Sequence, residues 1–199
     1  MGEMRPGDES FMDQLARAFR AADEALRRDY DRSLSVDELS SDRWERAERL
    51  GFGPRASIYG SALVYGDVHV AADTWVGPWV LLDGSAGRVA IGESCSISAG
   101  VHIYTHDTVG RALSGGVLPV RSAPVDIGSR CYVGPHSIIA AGVSVGAGLI
   151  IGANSFVSES VPASSFAAGS PARVLGTVVV TDAGFEIIRT RGTREELQE

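Results

Sequence analysis

The sequence is poor in the residues that hold most compact folds together. Aromatic side chains make up only 7% of its 199 residues, and there are two cysteines, Cys95 and Cys131. Two thiols are too few for a disulfide framework, and both are read as reduced, packed side chains. Positive charge is in deficit: 18 Lys and Arg against 25 Asp and Glu give a net charge of -7. That balance argues against an extended nucleic-acid surface or an anionic-membrane surface. The first residues, "MGEMRPGDESFMDQ", lack the basic and apolar regions of a signal peptide, so a cytoplasmic location is expected.

One long stretch without charge could pass for a membrane span. Residues 131 to 158, "CYVGPHSIIAAGVSVGAGLIIGANSFVS", contain no Asp, Glu, Lys or Arg. Their glycines, proline and asparagine recur at six-residue spacing, which excludes a continuous apolar helix; no membrane insertion is expected.

Glycine is what the chain has in quantity, 24 residues, and much of it falls in a rhythm. From Ile127 the chain divides into "IGSRCY", "VGPHSI", "IAAGVS", "VGAGLI", "IGANSF" and "VSESVP". An aliphatic residue opens each hexad, and a small or apolar residue such as Cys131, Ser137, Val143 or Ser155 stands fifth. The same frame fits "IYGSAL", "VYGDVH", "VAADTW" and "VGPWVL" from Ile58, then "IGESCS", "ISAGVH" and "IYTHDT" from Ile91.

A period of six fits neither a helix nor a flat strand. It fits short strands joined by corners, three strands to a coil, with opening aliphatics stacked coil on coil at about 4.8 Å. The expected fold is mainly β, a parallel β-helix, and hexads specifically resemble the left-handed form. The frame slips by three across "LLDGSAGRV", and an insertion interrupts it between Ile103 and Ile127. In a solenoid such interruptions are loops, and loops carry function.

The ends read differently. Phe11, Leu15, Ala18, Phe19, Ala22 and Leu26 recur at helical spacing, predicting an amphipathic helix over about residues 9 to 29. Asp42 with Glu45 suggests a capping box that opens a second helix ending near Gly51. These helices are expected to pack on the open N-terminal end of the prism. The chain is thus divided into a helical region (1-54), a β-helix (55-176) with a loop at 107-124, and a C-terminal strand pair and tail (177-199).

With the hexads, the interrupted coil, "GVHIYTHDT" and "AAGSPARVLG" in view, the chain resembles the hexapeptide-repeat acyltransferases, nearest to sugar O-acetyltransferases. The resemblance covers about residues 55 to 176. It implies a homotrimer with active sites between neighbouring prisms, acetyl-CoA or another acyl-CoA as co-substrate, no required metal, and a small-molecule or carbohydrate acceptor.

The resemblance also carries roles onto individual positions. His106 matches the family's general base, and an imidazole is suited to taking a hydroxyl proton near neutral pH. Ala153 and Ser158 match positions that meet the pantetheine arm. Arg173 matches a basic residue at the nucleotide phosphates. Tyr132 stands where relatives place an aromatic flanking the acceptor or thioester. Pro135 occupies a coenzyme-side turn where relatives offer a backbone N–H, which proline lacks, leaving His136 as a candidate oxyanion donor. Glu159 replaces a frequent lysine.

The family's sugar-holding Asn and Asp pair is not reproduced: Pro78 and Trp79 lie in its place. Counting back one coil from His106, with the three-residue slip, lands near Ser85. Asp83 is therefore expected either to bind the acceptor hydroxyl or to orient His106.

Three other readings stand beside this one. N-acyl transfer to an amino sugar is the rival within the enzyme class. A zinc carbonic anhydrase would need His69, His102 and His106 to converge. A non-catalytic scaffold would bind no CoA.

Overall fold

The computed structural model describes residues 10 to 40 and 42 to 190. The chain divides after Asp42 into two compact units.

In the first unit, α1 spans Phe11–Tyr30 and α2 spans Val36–Leu39. Ser10 caps α1 by accepting the Asp13 N–H at 3.2 Å, and Asp31 ends it in a left-handed conformation. The sequence places this helix one or two residues early, and residue 9 lies outside the described residues. Asp23 ties the following turn to α1, accepting from Leu34 N at 3.2 Å and from Arg27 at 2.9 Å.

The second unit opens with α3, Arg43–Arg49. Ala47 and Phe52 join the core, and Arg46 donates to the Ala62 carbonyl at 2.7 Å and also to the Tyr59 carbonyl. This helix therefore closes the first coil, because its guanidinium supplies donors to carbonyls that no lower coil pairs.

The rest is a three-faced parallel β-helix, as the hexads predict. One face stacks Ser57–Ile58, Trp75–Val76, Ser96–Ile97, Tyr132–Val133 and Ile150–Ile151 in parallel register. A second face aligns Val64, Leu82, Ile103, Ile139 and Val157. The third aligns Val70, Ile91, Ile127 and Val145. These aliphatics form the core, nearly all of them buried.

The spacing between the second and third faces explains the broken frame. Val64 to Val70 takes six residues, and so does Ile139 to Val145. Leu82 to Ile91 takes nine, and Ile103 to Ile127 takes twenty-four. Both insertions thus leave the same edge of the prism on adjacent coils, one stacked over the other. At that edge glycine is obligatory: a Cβ on Gly84 would lie 2.3 Å from the Asp67 carbonyl oxygen.

Cys95 and Cys131 lie side by side in the core at fifth positions of their hexads. Their thiols donate to the Gly128 and Gly146 carbonyls at 3.2 and 3.0 Å. The neighbouring Cys131 thiol pulls Cys95 down to about 7, and the neighbouring Cys95 thiol, with burial, pushes Cys131 well above the ordinary range.

The last coil turns back on itself. Ser165–Gly169 pairs antiparallel with Ala172–Thr181, which pairs with Gly184–Arg189. The tail read at 192 to 199 lies outside the described residues.

Candidate active site

The inserted loop leaves the prism through a short neck. His106–Asp107 pairs antiparallel with Arg121–Ser122, and Ala123 N donates to the Thr105 carbonyl at 2.9 Å. Between them lie α4, Val109–Leu113, and a turn at Gly115 and Gly116, both in the left-handed region. Arg121 stands 3.7 Å from Asp107, a second clasp across the neck.

Thr105 anchors the near side of the neck. It is fully buried, and both its N–H and its hydroxyl donate to the Asp83 carbonyl, at 3.2 and 2.7 Å. Thr105→Val keeps the shape and removes the hydroxyl bond, so a loss of about 1 kcal/mol is expected in urea unfolding. Proteolysis within the loop should also quicken if Thr105 holds the neck.

His106 follows two residues after Tyr104, the ladder partner of Asp83, and its side chain reaches the Asp83 carboxylate. Its Nδ1 lies 3.6 Å from Asp83 Oδ2, with side chains 29% and 9% exposed respectively. Among the described residues this Nδ1 is the one buried side-chain polar atom without a hydrogen-bond partner. Because Nδ1 is buried, the exposed part of the ring lies elsewhere on it. The other carboxylate oxygen, Asp83 Oδ1, accepts from Ser85 N at 3.0 Å and from Ser85 Oγ at 2.5 Å. Asp83 is flanked in the ladder by Tyr65 and Tyr104.

Such an arrangement has a definite chemistry. A carboxylate facing Nδ1 favours the hydrogen there, which leaves the lone pair on Nε2 free to take a proton. A separation of 3.6 Å exceeds a formed hydrogen bond, but such contacts are commonly long before substrate binds.

The other residues singled out by sequence do not join this pair within one chain. Tyr132 is half exposed on the first face, between Ser96 and Ile150. Pro135 and Ala153 sit one coil apart on the edge between the first and second faces, where Asn154 N donates to the Pro135 carbonyl at 2.9 Å. His136, on that edge, has its backbone N–H engaged by the Ala99 carbonyl at 3.0 Å and its ring against Gly100, where a Cβ would lie 2.5 Å from Nδ1. Ser158 is exposed on the edge that carries the insertions. Arg173, 59% exposed, stands 4.0 Å from Glu159.

The remaining histidines are engaged elsewhere: His69 with Asp67 at 2.7 Å and His102 with Tyr104 at 3.2 Å. Among the described residues no three His, Cys, Asp or Glu side chains gather as a metal site. No described helix is long and apolar enough to cross a membrane.

Sequence reasoning missed Ser85 and Thr105 as parts of this site. The signal for Ser85 was the three-residue slip itself, whose extra residues supply it.

Comparison with known proteins agrees with the repeat. Residues 124 to 159 match the family described as the hexapeptide repeat of succinyl-transferase. WcaF of Escherichia coli K12, named for a proposed role as a colanic acid biosynthesis acetyltransferase, is 32% identical over 110 residues, 54% of this chain and 57% of WcaF. Residues 124 to 159 thus carry a hexapeptide repeat, and the chain is similar over about half its length to an acetyltransferase.

The chain spans little more than half the length of WcaF. Among solved structures, a hexapeptide-repeat acetyltransferase of Vibrio cholerae superposes with a TM-score of 0.62 at 22% identity, covering 82% of this chain and 88% of that one. The N-acyltransferase AntD of Bacillus cereus, solved with dTDP and 3-hydroxybutyryl-CoA, superposes at 0.54 with 23% identity, covering 67% and 87%. At these identities the superpositions show the shared fold.

Proposed function

We propose that this protein transfers an acyl group, acetyl by preference, from an acyl-CoA thioester to a hydroxyl of a sugar or glycosylated acceptor. The observation that carries the reading is the buried, unpartnered Nδ1 of His106 facing Asp83 at the root of the inserted loop. His106 Nε2 takes the hydroxyl proton as the oxygen attacks the thioester carbonyl. The C–O bond forms, the C–S bond breaks, and the proton passes to the departing thiolate. Asp83 holds the imidazole for this step, and no acyl-enzyme is needed.

Tyr132, Pro135, Ala153, Ser158 and Arg173 are assigned to the acceptor and coenzyme sides of the same centre. The placement of Tyr132, Pro135 and Ala153 on a different face or edge of the prism from His106 favours a homotrimer, in which a neighbouring copy brings its own set to His106. Glu159 beside Arg173 partly offsets the charge meant for the coenzyme phosphates, so modest CoA affinity is expected.

A second reading, N-acyl transfer to an amino sugar, is favoured by two similarities. One is the fold shared with AntD. The other is a match of 37% identity over 70 residues to the tetrahydropyridine-dicarboxylate N-acetyltransferase of Staphylococcus aureus, 35% of this chain and 29% of that one. Release of free thiol from acetyl-CoA, with matched hydroxy and amino sugars as acceptors, separates the two. Faster release with the hydroxy member of each pair, and an ester product by mass, is expected; an amide product would replace this reading with the second.

A further inference from the structure

The three residues that lengthen the second coil lie between Gly84 and Val89, at the edge directly below the inserted loop. Ser85 is the one among them that touches the Asp83–His106 pair. Its N–H and its hydroxyl both donate to Asp83 Oδ1. The N–H bond is an Asx turn that any residue but proline completes; the hydroxyl bond requires serine or threonine.

With the Asp83 carbonyl held separately by Thr105, the freedom left to this residue is rotation of its carboxylate. The Ser85 hydroxyl restrains that rotation, which keeps Oδ2 toward His106 Nδ1. Asp83 from the coil below faces the imidazole; Asp107 and Arg121 pair with each other in the neck, and Tyr65 and Tyr104, the latter bonded to His102, flank Asp83 in the ladder.

We propose that Ser85 is a positioning residue that locks the Asp83 carboxylate in the rotamer that sets the tautomer of His106. The inference rests on the general-base reading of His106 for its consequence in the reaction, though not for its geometry. It gives the frame slip a purpose: the longer corner brings a hydroxyl to the far side of the aspartate.

The test uses the full chain labelled with 15N-histidine, at a pH well above the imidazole range, in the wild type, Ser85→Ala and Ser85→Thr. Ring nitrogen shifts report the tautomer directly. The wild type and Ser85→Thr should hold His106 mainly as the Nδ1–H form, and Ser85→Ala should move toward the Nε2–H form. In acetyl transfer to whichever acceptor the thiol-release assay selects, kcat of Ser85→Ala should fall about tenfold with the KM for acetyl-CoA unchanged, and Ser85→Thr should recover most of it.

A Ser85→Ala protein with the wild-type tautomer ratio would overturn the proposal, even if its activity fell. So would a wild type that holds the Nε2–H form. Full activity in His106→Ala would instead remove the general-base reading, while the shifts would still decide what Ser85 does.

Discussion

Replacing His106 by alanine should lower acyl transfer by about 10²- to 10⁴-fold and leave the circular dichroism spectrum and unfolding midpoint close to those of the wild type. A sugar hydroxyl is a poor nucleophile while it keeps its proton, and no other imidazole shares this edge: His69 and His102 are engaged with Asp67 and Tyr104. Folding should survive because His106 contributes no core packing and its Nδ1 has no partner to abandon. Asp83 remains held by Ser85 and Thr105 after the ring is gone. The loss should therefore appear in kcat, with acetyl-CoA binding retained.

Ile103→Ala should have the largest effect on stability, about 2 to 5 kcal/mol in urea unfolding. Ile103 is fully buried and sits in register between Leu82 below and Ile139 above. Backbone stacking holds both neighbours at fixed height, so the coils cannot settle into the cavity that alanine leaves. The adjacent-coil residue Ile138 points outward and is 39% exposed. Ile138→Ala should cost about 1 kcal/mol or less, and equal costs at the two positions would contradict the in-and-out assignment of these strands. Ile103 is also two residues from Thr105, so its loss should loosen the neck of the inserted loop.

The solenoid was legible because its determinant is linear. Each hexad repeats the same demand for an aliphatic inside and a small residue at the corner, and stacking turns that period directly into height. The inserted loop was legible for the same reason, as a departure from the period. Asp83 was reached by counting coils from His106 and adding the slip. Ser85 was not assigned a role, because its action depends on which carboxylate oxygen its hydroxyl meets, a matter of corner geometry that spacing leaves open.

Docking of α3 was equally hidden in part. Its capping residues predict a helix, but the Arg46 bonds to the Tyr59 and Ala62 carbonyls depend on which carbonyls of the first coil have no coil below to pair them. Tyr132, Pro135 and Ala153 were placed by resemblance to one centre, and within a single chain they lie on a different face or edge from His106. A linear motif cannot say whether its members meet in one prism or across two.

The most direct test of the central claim, that this β-helix works on acyl-CoA with His106 in the chemical step, is thermal unfolding with acetyl-CoA for the wild type and His106→Ala, each followed by a turnover assay. Acetyl-CoA at 100 times its dissociation constant should stabilise both proteins by about 2.7 kcal/mol, while only the wild type turns it over with acceptor present. Absence of any shift in either protein, or equal turnover by both, would contradict the account.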